Sequence, residues 1–169
     1  MRCAVIGSGS WGTALAMQLA RAGNEVRMWS RTQTAANAIE QARENVRYLP
    51  GVRLPENIAV SSNMANVLDA ASLVVVVVPS QFVRSVMREV GTLIDSQAVI
   101  CCASKGVENG SLMTMHDVLL DVLPPALHLK VCALAGPSFA REVAESRPTA
   151  VVVAGHDEAA AHLVAEAFH

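Results

Sequence analysis

The stretch Gly7-Ser8-Gly9-Ser10-Trp11-Gly12 sets three glycines at G-x-G-x-x-G spacing, directly behind the apolar run Cys3-Ala4-Val5-Ile6. With a strand before it and a helix after it, this pattern cradles the diphosphate of a dinucleotide. Gly7 permits the tight turn, Gly9 lets the backbone approach the pyrophosphate, and Gly12 lets the helix pack closely on the strand. Ser10 and Trp11 open the helix, where free amides and the positive end of the helix dipole face an anion. The next apolar run ends in Trp29-Ser30-Arg31-Thr32, with no acid to bind a ribose 2′-hydroxyl. Arg31 is placed to pair with a 2′-phosphate and to stack on adenine, so NADP(H) is the expected preference and NAD(H) the alternative. A solvated arginine at a strand end is the competing reading.

Two further groups carry chemistry. Lys105, in Ala103-Ser104-Lys105-Gly106, can polarise a carbonyl or hold a phosphate; an ordinary loop lysine is the alternative. Gly136 and Ser138, in Ala135-Gly136-Pro137-Ser138-Phe139-Ala140, resemble an anion-binding turn at a helix start, with Ser138 able to serve as an N-cap.

These residues need a scaffold that brings strand ends together. Short apolar runs alternate with longer amphipathic segments along the whole chain. The patterning predicts strands over 3–6, 25–29, 58–60, 73–78, 98–102, 131–134 and 150–153. Helices are predicted over 10–22, 33–43, 66–71, 81–91, 112–123, 138–145 and 158–168. The run Leu73–Val78 has no period-2 alternation and reads as the middle of a parallel sheet. Repeated βαβ units imply an α/β fold with a doubly wound, mainly parallel sheet of Rossmann type, its ligand at the carboxyl ends of the strands. Residues 48–57 hold two prolines and a glycine and are expected to lack regular structure.

Composition narrows the class. The 169 residues are 52% hydrophobic with net charge -2, and mean hydropathy is +0.35. Apolar runs as short as Leu73–Val78 fall far below the roughly 20 residues of a spanning helix, so a buried sheet explains the hydropathy. Near-neutral charge without a basic run argues against nucleic acid as a partner. Cys3, Cys101, Cys102 and Cys132 lie in apolar stretches without CxxC spacing and read as reduced thiols in a cytoplasmic protein. No signal peptide is indicated, because the chain runs straight into its first strand. The five histidines have no ligand-spaced Cys or carboxylate, so no metal site is expected.

The segments GSGSWGTALA, MWSR, YLPGVRLPENI, VVVVPSQF, ASKGVE and AGPSFAREVAESRPTA, in this order, closely resemble the N-terminal domain of bacterial NAD(P)-dependent glycerol-3-phosphate dehydrogenase. The resemblance covers essentially the whole chain. It implies an oxidoreductase that interconverts dihydroxyacetone phosphate and sn-glycerol 3-phosphate, a precursor of membrane phospholipids. It places Ser10, Trp11, Arg31 and Lys105 on the dinucleotide, Phe82 near it, Ala140 against it through the backbone, and Tyr48 as a further contact. Lys105, Gly136 and Ser138 would meet the phosphorylated substrate, with Lys105 acting electrostatically. The family carries its principal proton-transfer lysine, and an Asp and an Arg-Asn pair that bind substrate, in a helical second domain. The chain stops before these, and before the last strand expected of the first domain. It therefore resembles a cofactor-binding piece, residues 1–169, that is inactive alone and belongs to a homodimer at full length. Docking of the second domain is expected to leave an apolar face around 137–144 and the C-terminal helix.

Two other readings stay open. One is a different dehydrogenase of similar architecture, of the 3-hydroxyacid or ketopantoate reductase type, against which Lys105-Gly106 and the GPSFA segment argue. The other is a non-catalytic dinucleotide-binding module.

Overall fold

A strand that is apolar at every position must be covered on both faces. Leu73–Val76 (β6) is buried at all four positions near the centre of a seven-stranded sheet. The structure, a computed structural model, describes residues 1–169. Before β6 come Arg2–Ile6 (β1), Ser10–Arg21 (α1), Glu25–Trp29 (β2), Gln33–Ala42 (α2), Glu44–Asn45 (β3), Leu49–Arg53 (β4), Ile58–Ser61 (β5) and Met64–Leu68 (α3). After it come Ser80–Val90 (α4), Val99–Cys102 (β7), Met115–Val122 (α5), Val131–Ala135 (β8), Ala140–Ala144 (α6), Val152–Gly155 (β9) and Glu158–Phe168 (α7). The sheet order is β5-β2-β1-β6-β7-β8-β9, parallel except for the β8–β9 pair. The chain winds outward from β1 in both directions, which is the doubly wound architecture expected. The switch point, where such sheets bind ligands, lies between β1 and β6.

Strand alternation divides the core in two. Cys3, Val5, Leu73, Val75, Val99 and Cys101 face α1 and α7, while Ala4, Ile6, Val74, Val76, Ile100 and Cys102 face α3, α4 and α5. All four cysteines are buried free thiols. Burial pushes the thiols of Cys3 and Cys102 up to about 11. No helix is long and apolar enough to cross a membrane.

The structure corrects the expected elements in several places. Residues 48–57 contain a strand after all: β4 pairs antiparallel with β3. Pro50 is tolerated because this ribbon is an edge strand, where a missing N–H costs no central ladder bond. The final strand is displaced to Val152–Gly155 and runs antiparallel. The helix before it, α6, has only five residues, and the chain after it returns along the edge of the sheet to pair with β8. β6 stops at Val76 rather than 78; Ser104 Oγ donates to the Val78 carbonyl at 2.7 Å, in place of a strand partner. α5 starts at Met115 rather than 112, since Leu112 is left-handed (φ 58°) and Thr114 caps the helix by accepting from the Asp117 amide. α3 starts early, at Met64, capped by Asn63. A 3-10 turn over Pro125–Lys130 was not expected.

Candidate functional site

The glycine loop forms because its own backbone demands it at two positions. A Cβ on Gly7, whose φ is 130°, would lie 2.8 Å from the Val77 carbonyl oxygen, and one on Gly12 only 2.0 Å from that of Gly7. Gly9 differs. Its φ of -73° is open to any residue, and a Cβ there would meet nothing within 4 Å. Nothing within the chain explains a glycine at that position. The Gly9, Ser10, Trp11 and Gly12 amides have no hydrogen-bond acceptor in the chain, while the Thr13 amide already bonds the Gly9 carbonyl. The helix therefore presents successive free N–H groups at its positive end.

The neighbouring strand ends supply the cations. Arg31, just beyond β2, is exposed and makes no hydrogen bond or ion pair. Beside it Ser30 is buried, and its hydroxyl accepts from Ser8 Oγ at 2.9 Å, which ties the β2 end to the glycine loop. On the other side of the switch point, Trp11 Nε1 donates to the Ala103 carbonyl at 3.2 Å. Lys105, two residues on, sets its Nζ 5.3 Å from the centroid of the Trp11 ring. Such a cation–π contact contributes about 0.5–1 kcal/mol at an exposed site and holds the ammonium at the crevice.

The loop after Lys105 is fastened to α4. Gln81 Nε2 donates to the Val107 carbonyl and Gln81 Oε1 accepts from the Asn109 amide, both at 2.9 Å. Arg84 donates to both carboxylate oxygens of Glu108 and also to Asp121. Hydrogen bonds from Arg84, and then from Ser111, hold the Glu108 carboxyl below its ordinary range. Phe82, beside this clamp on the first turn of α4, is half exposed.

Gly136 and Ser138 depart from expectation. The Ser138 amide donates to the Gly136 carbonyl at 3.0 Å, so it is committed to a tight turn rather than free for an anion. Ser138 is not an N-cap either: α6 begins at Ala140, its N-cap residue is Phe139, and no side chain caps it. The register pairs Cys102 with Ala133, so Lys105 and Gly136 stand three residues past level positions on adjacent strands. Ala140 is half-buried at the start of α6. Tyr48 lies in the β3–β4 hairpin, half exposed, its ring 5.0 Å from the Arg47 guanidinium carbon. The crevice thus brings together the glycine loop, Trp11, Arg31 and Lys105.

The expected apolar face is met only in part. Phe139, within 137–144, is exposed, but Val143 and Ala144 of α6 are buried, and the exposed apolar surface continues onto Val151 and Val152. Two hollows of about 530 and 500 Å³ share Leu134, Thr149, Val151, Phe168 and His169 in their walls; the second reaches Trp11.

One residue of this region escaped the sequence reading. Asn45, at β3, is buried and its side-chain amide reaches the glycine loop at the Ser8 carbonyl. An asparagine 37 residues away gives no local signal of such a bond.

A family profile described as NAD-dependent glycerol-3-phosphate dehydrogenase N-terminus matches residues 2–161. A glycerol-3-phosphate dehydrogenase (NAD(P)+) of Anaeromyxobacter sp. (strain K) is 46% identical over 169 residues, 100% of this chain and 51% of the relative. One of Geobacter sp. (strain M21) is 44% identical over 167 residues, 99% of this chain and 50% of the relative. The crystal structure of glycerol-3-phosphate dehydrogenase from Coxiella burnetii superposes with a TM-score of 0.90 at 33% identity, covering 99% of this chain and 50% of that one. The chain spans about half the length of the curated relatives it matches.

Proposed function

The chain belongs to the family of NAD-dependent glycerol-3-phosphate dehydrogenase N-terminal domains, and from that premise we propose that its switch-point crevice binds a nicotinamide dinucleotide for the reduction of dihydroxyacetone phosphate to sn-glycerol 3-phosphate. One observation carries the reading: four successive amides, Gly9 to Gly12, stand free at the start of α1 beneath an open Gly9 Cβ position. That cradle fits a diphosphate, whose oxygens take backbone N–H donors and gain from the helix dipole. When bound, the dinucleotide supplies the hydride for a ketone carbon.

The residues of this chain bind and orient. Gly9, Ser10, Trp11 and Gly12 hold the diphosphate through their amides. Arg31 is an unpaired guanidinium at the β2 end, and no acid accompanies it, so it favours the 2′-phosphate of NADP(H) over NAD(H). Phe82, Tyr48 and the Ala140 backbone flank the cofactor. Lys105, held on Trp11, faces developing negative charge on the substrate oxygen or its phosphate. Gly136 and Ser138 border the phosphorylated substrate, with the Ser138 hydroxyl, now on a long 3.4 Å bond to the Gly136 carbonyl, turning from it to the substrate. Residues 1–169 form the dinucleotide-binding domain. The other half of the relatives' length supplies the principal proton-transfer lysine and completes the substrate site, as a homodimer in the cytoplasm. On this reading the 169-residue chain binds cofactor without turnover.

Calorimetric titration of the folded chain tests the reading. NADPH should bind, and more tightly than NADH; mixing NADPH-loaded chain with dihydroxyacetone phosphate should leave the absorbance of the reduced cofactor unchanged. Absence of heat with either coenzyme at millimolar concentration would overturn the cofactor assignment.

A further inference from the structure

Resting on the dinucleotide reading above, we propose that Asn45 is a positioning residue for the glycine loop, aiming the Gly9 N–H at the diphosphate. Asn45 is 1% exposed. Its Nδ2 donates to the Ser8 carbonyl at 2.8 Å and to Thr13 Oγ1 at 2.7 Å. Because the Ser8 carbonyl can only accept, it fixes which way the side-chain amide is turned; Oδ1 then shares the Tyr48 amide, at 3.3 Å, with the Asn45 carbonyl at 3.2 Å.

The consequence follows from peptide geometry. Every peptide bond of the chain is trans, so the C=O and N–H of one peptide unit point in opposite directions. Asn45 draws the Ser8 carbonyl inward, and the Gly9 N–H of the same unit is thereby turned outward, toward the crevice. Ser8 is steadied on its other side by the hydrogen bond to Ser30. Gly9 has no side chain to hold its own orientation, so the loop depends on partners from elsewhere in the fold. The hairpin that carries Asn45 is itself braced at its far end, where Arg141 of α6 donates to the Pro50 carbonyl. Donation by Asn45 also polarises the Ser8–Gly9 peptide, which strengthens the N–H as a donor.

The test separates aiming from mere structural support. The chain is titrated with NADPH and with adenosine 2′,5′-bisphosphate, which keeps the adenosine and the 2′-phosphate but lacks the diphosphate bridge. Asn45→Ala should raise the NADPH Kd about tenfold, the scale of one lost hydrogen bond to a charged group, and change the bisphosphate Kd by less than about twofold. Thr13→Val removes the other acceptor of Nδ2 but leaves the Ser8 bond; it should lower the melting temperature and leave the NADPH Kd within about twofold. If Asn45→Ala does not fold, Asn45→Ser replaces it: the hydroxyl keeps an uncharged polar group in the buried site but is about one bond too short to reach the Ser8 carbonyl. An unchanged NADPH Kd, or equal weakening of both ligands, overturns the proposal. Failure of the unsubstituted chain to bind NADPH overturns the dinucleotide reading instead.

Discussion

Replacing Gly9 and Gly12 by alanine, one at a time, should separate ligand approach from fold stability within a single loop. At Gly12 the added methyl carbon would lie 2.0 Å from the Gly7 oxygen and 2.9 Å from both the Gly7 carbonyl carbon and Val77 Cγ1. Backbone on one side and a buried side chain on the other leave it nowhere to go. An overpacked site of this kind costs about 1–3 kcal/mol, or more where backbone must move. For a chain of this length each kcal/mol shifts Tm by about 2–4 °C, so Gly12→Ala should melt at least about 2–12 °C lower. Gly9 has an ordinary φ of -73° and an open Cβ position. Gly9→Ala should therefore fold normally, and loss of unfolded-state freedom should stabilise it by about 0.4–1 kcal/mol, roughly 1–4 °C in Tm. The same methyl occupies the space a diphosphate must enter, so NADPH affinity should fall at least about tenfold, or 1.4 kcal/mol. Differential scanning calorimetry and NADPH titration read both effects on the same samples. If Gly9→Ala binds NADPH as the unsubstituted chain does, or destabilises as much as Gly12→Ala, the assignment of Gly9 to ligand approach is refuted.

Arg31→Asp should reduce NADPH affinity by about ten- to a hundredfold, the worth of charge-assisted bonds to a phosphate, and leave NADH affinity unchanged or improved; equal losses for both coenzymes would sink the 2′-phosphate role. Glu108 has its carboxyl held low by Arg84 and then Ser111. Its contribution to stability is therefore present above the unfolded value near 4.3 and lost as pH falls through the lower folded value. Glu108→Gln should accordingly flatten the acid limb of stability below about pH 4, read as urea midpoints across pH, whereas an unchanged limb would contradict the clamp. The four thiols are buried and burial raises Cys3 and Cys102 to about 11, so a disulfide reagent at about pH 8 should label none in the native chain and all four after unfolding; rapid native labelling would contradict this packing.

What was legible in the sequence was what depends on near neighbours. The glycine loop, the strand ahead of it and the two-sided burial of Leu73–Val76 all follow from local type and spacing. So did Arg31, because a strand end in a βαβ unit has a defined place. What was not legible depends on contacts between distant segments. Pro50 and Gly51 look like breakers, yet a two-stranded ribbon at an edge tolerates them, and its anchor is a bond from the buried Asn45 to a loop far away in sequence. The antiparallel direction of β9 is settled by its pairing with β8, beyond the short helix α6. That helix ends where Arg21 of α1 donates to the Val143 and Ala144 carbonyls, a cap no local pattern announces. Ser138 illustrates the opposite error: a serine before an apolar stretch reads as an N-cap, but its amide and hydroxyl both turn back to the Gly136 carbonyl.

The central claim is that free amides at the start of α1 hold a dinucleotide diphosphate. Proton–nitrogen correlation spectra of the labelled chain, recorded as NADPH is added, address it directly. The largest shifts should fall on the amides of Gly9, Ser10, Trp11 and Gly12, with Arg31 and Lys105 following at the flanking strand ends. Shifts confined to the hollow walled by Val151, Phe168 and His169, or none at millimolar NADPH, would contradict it.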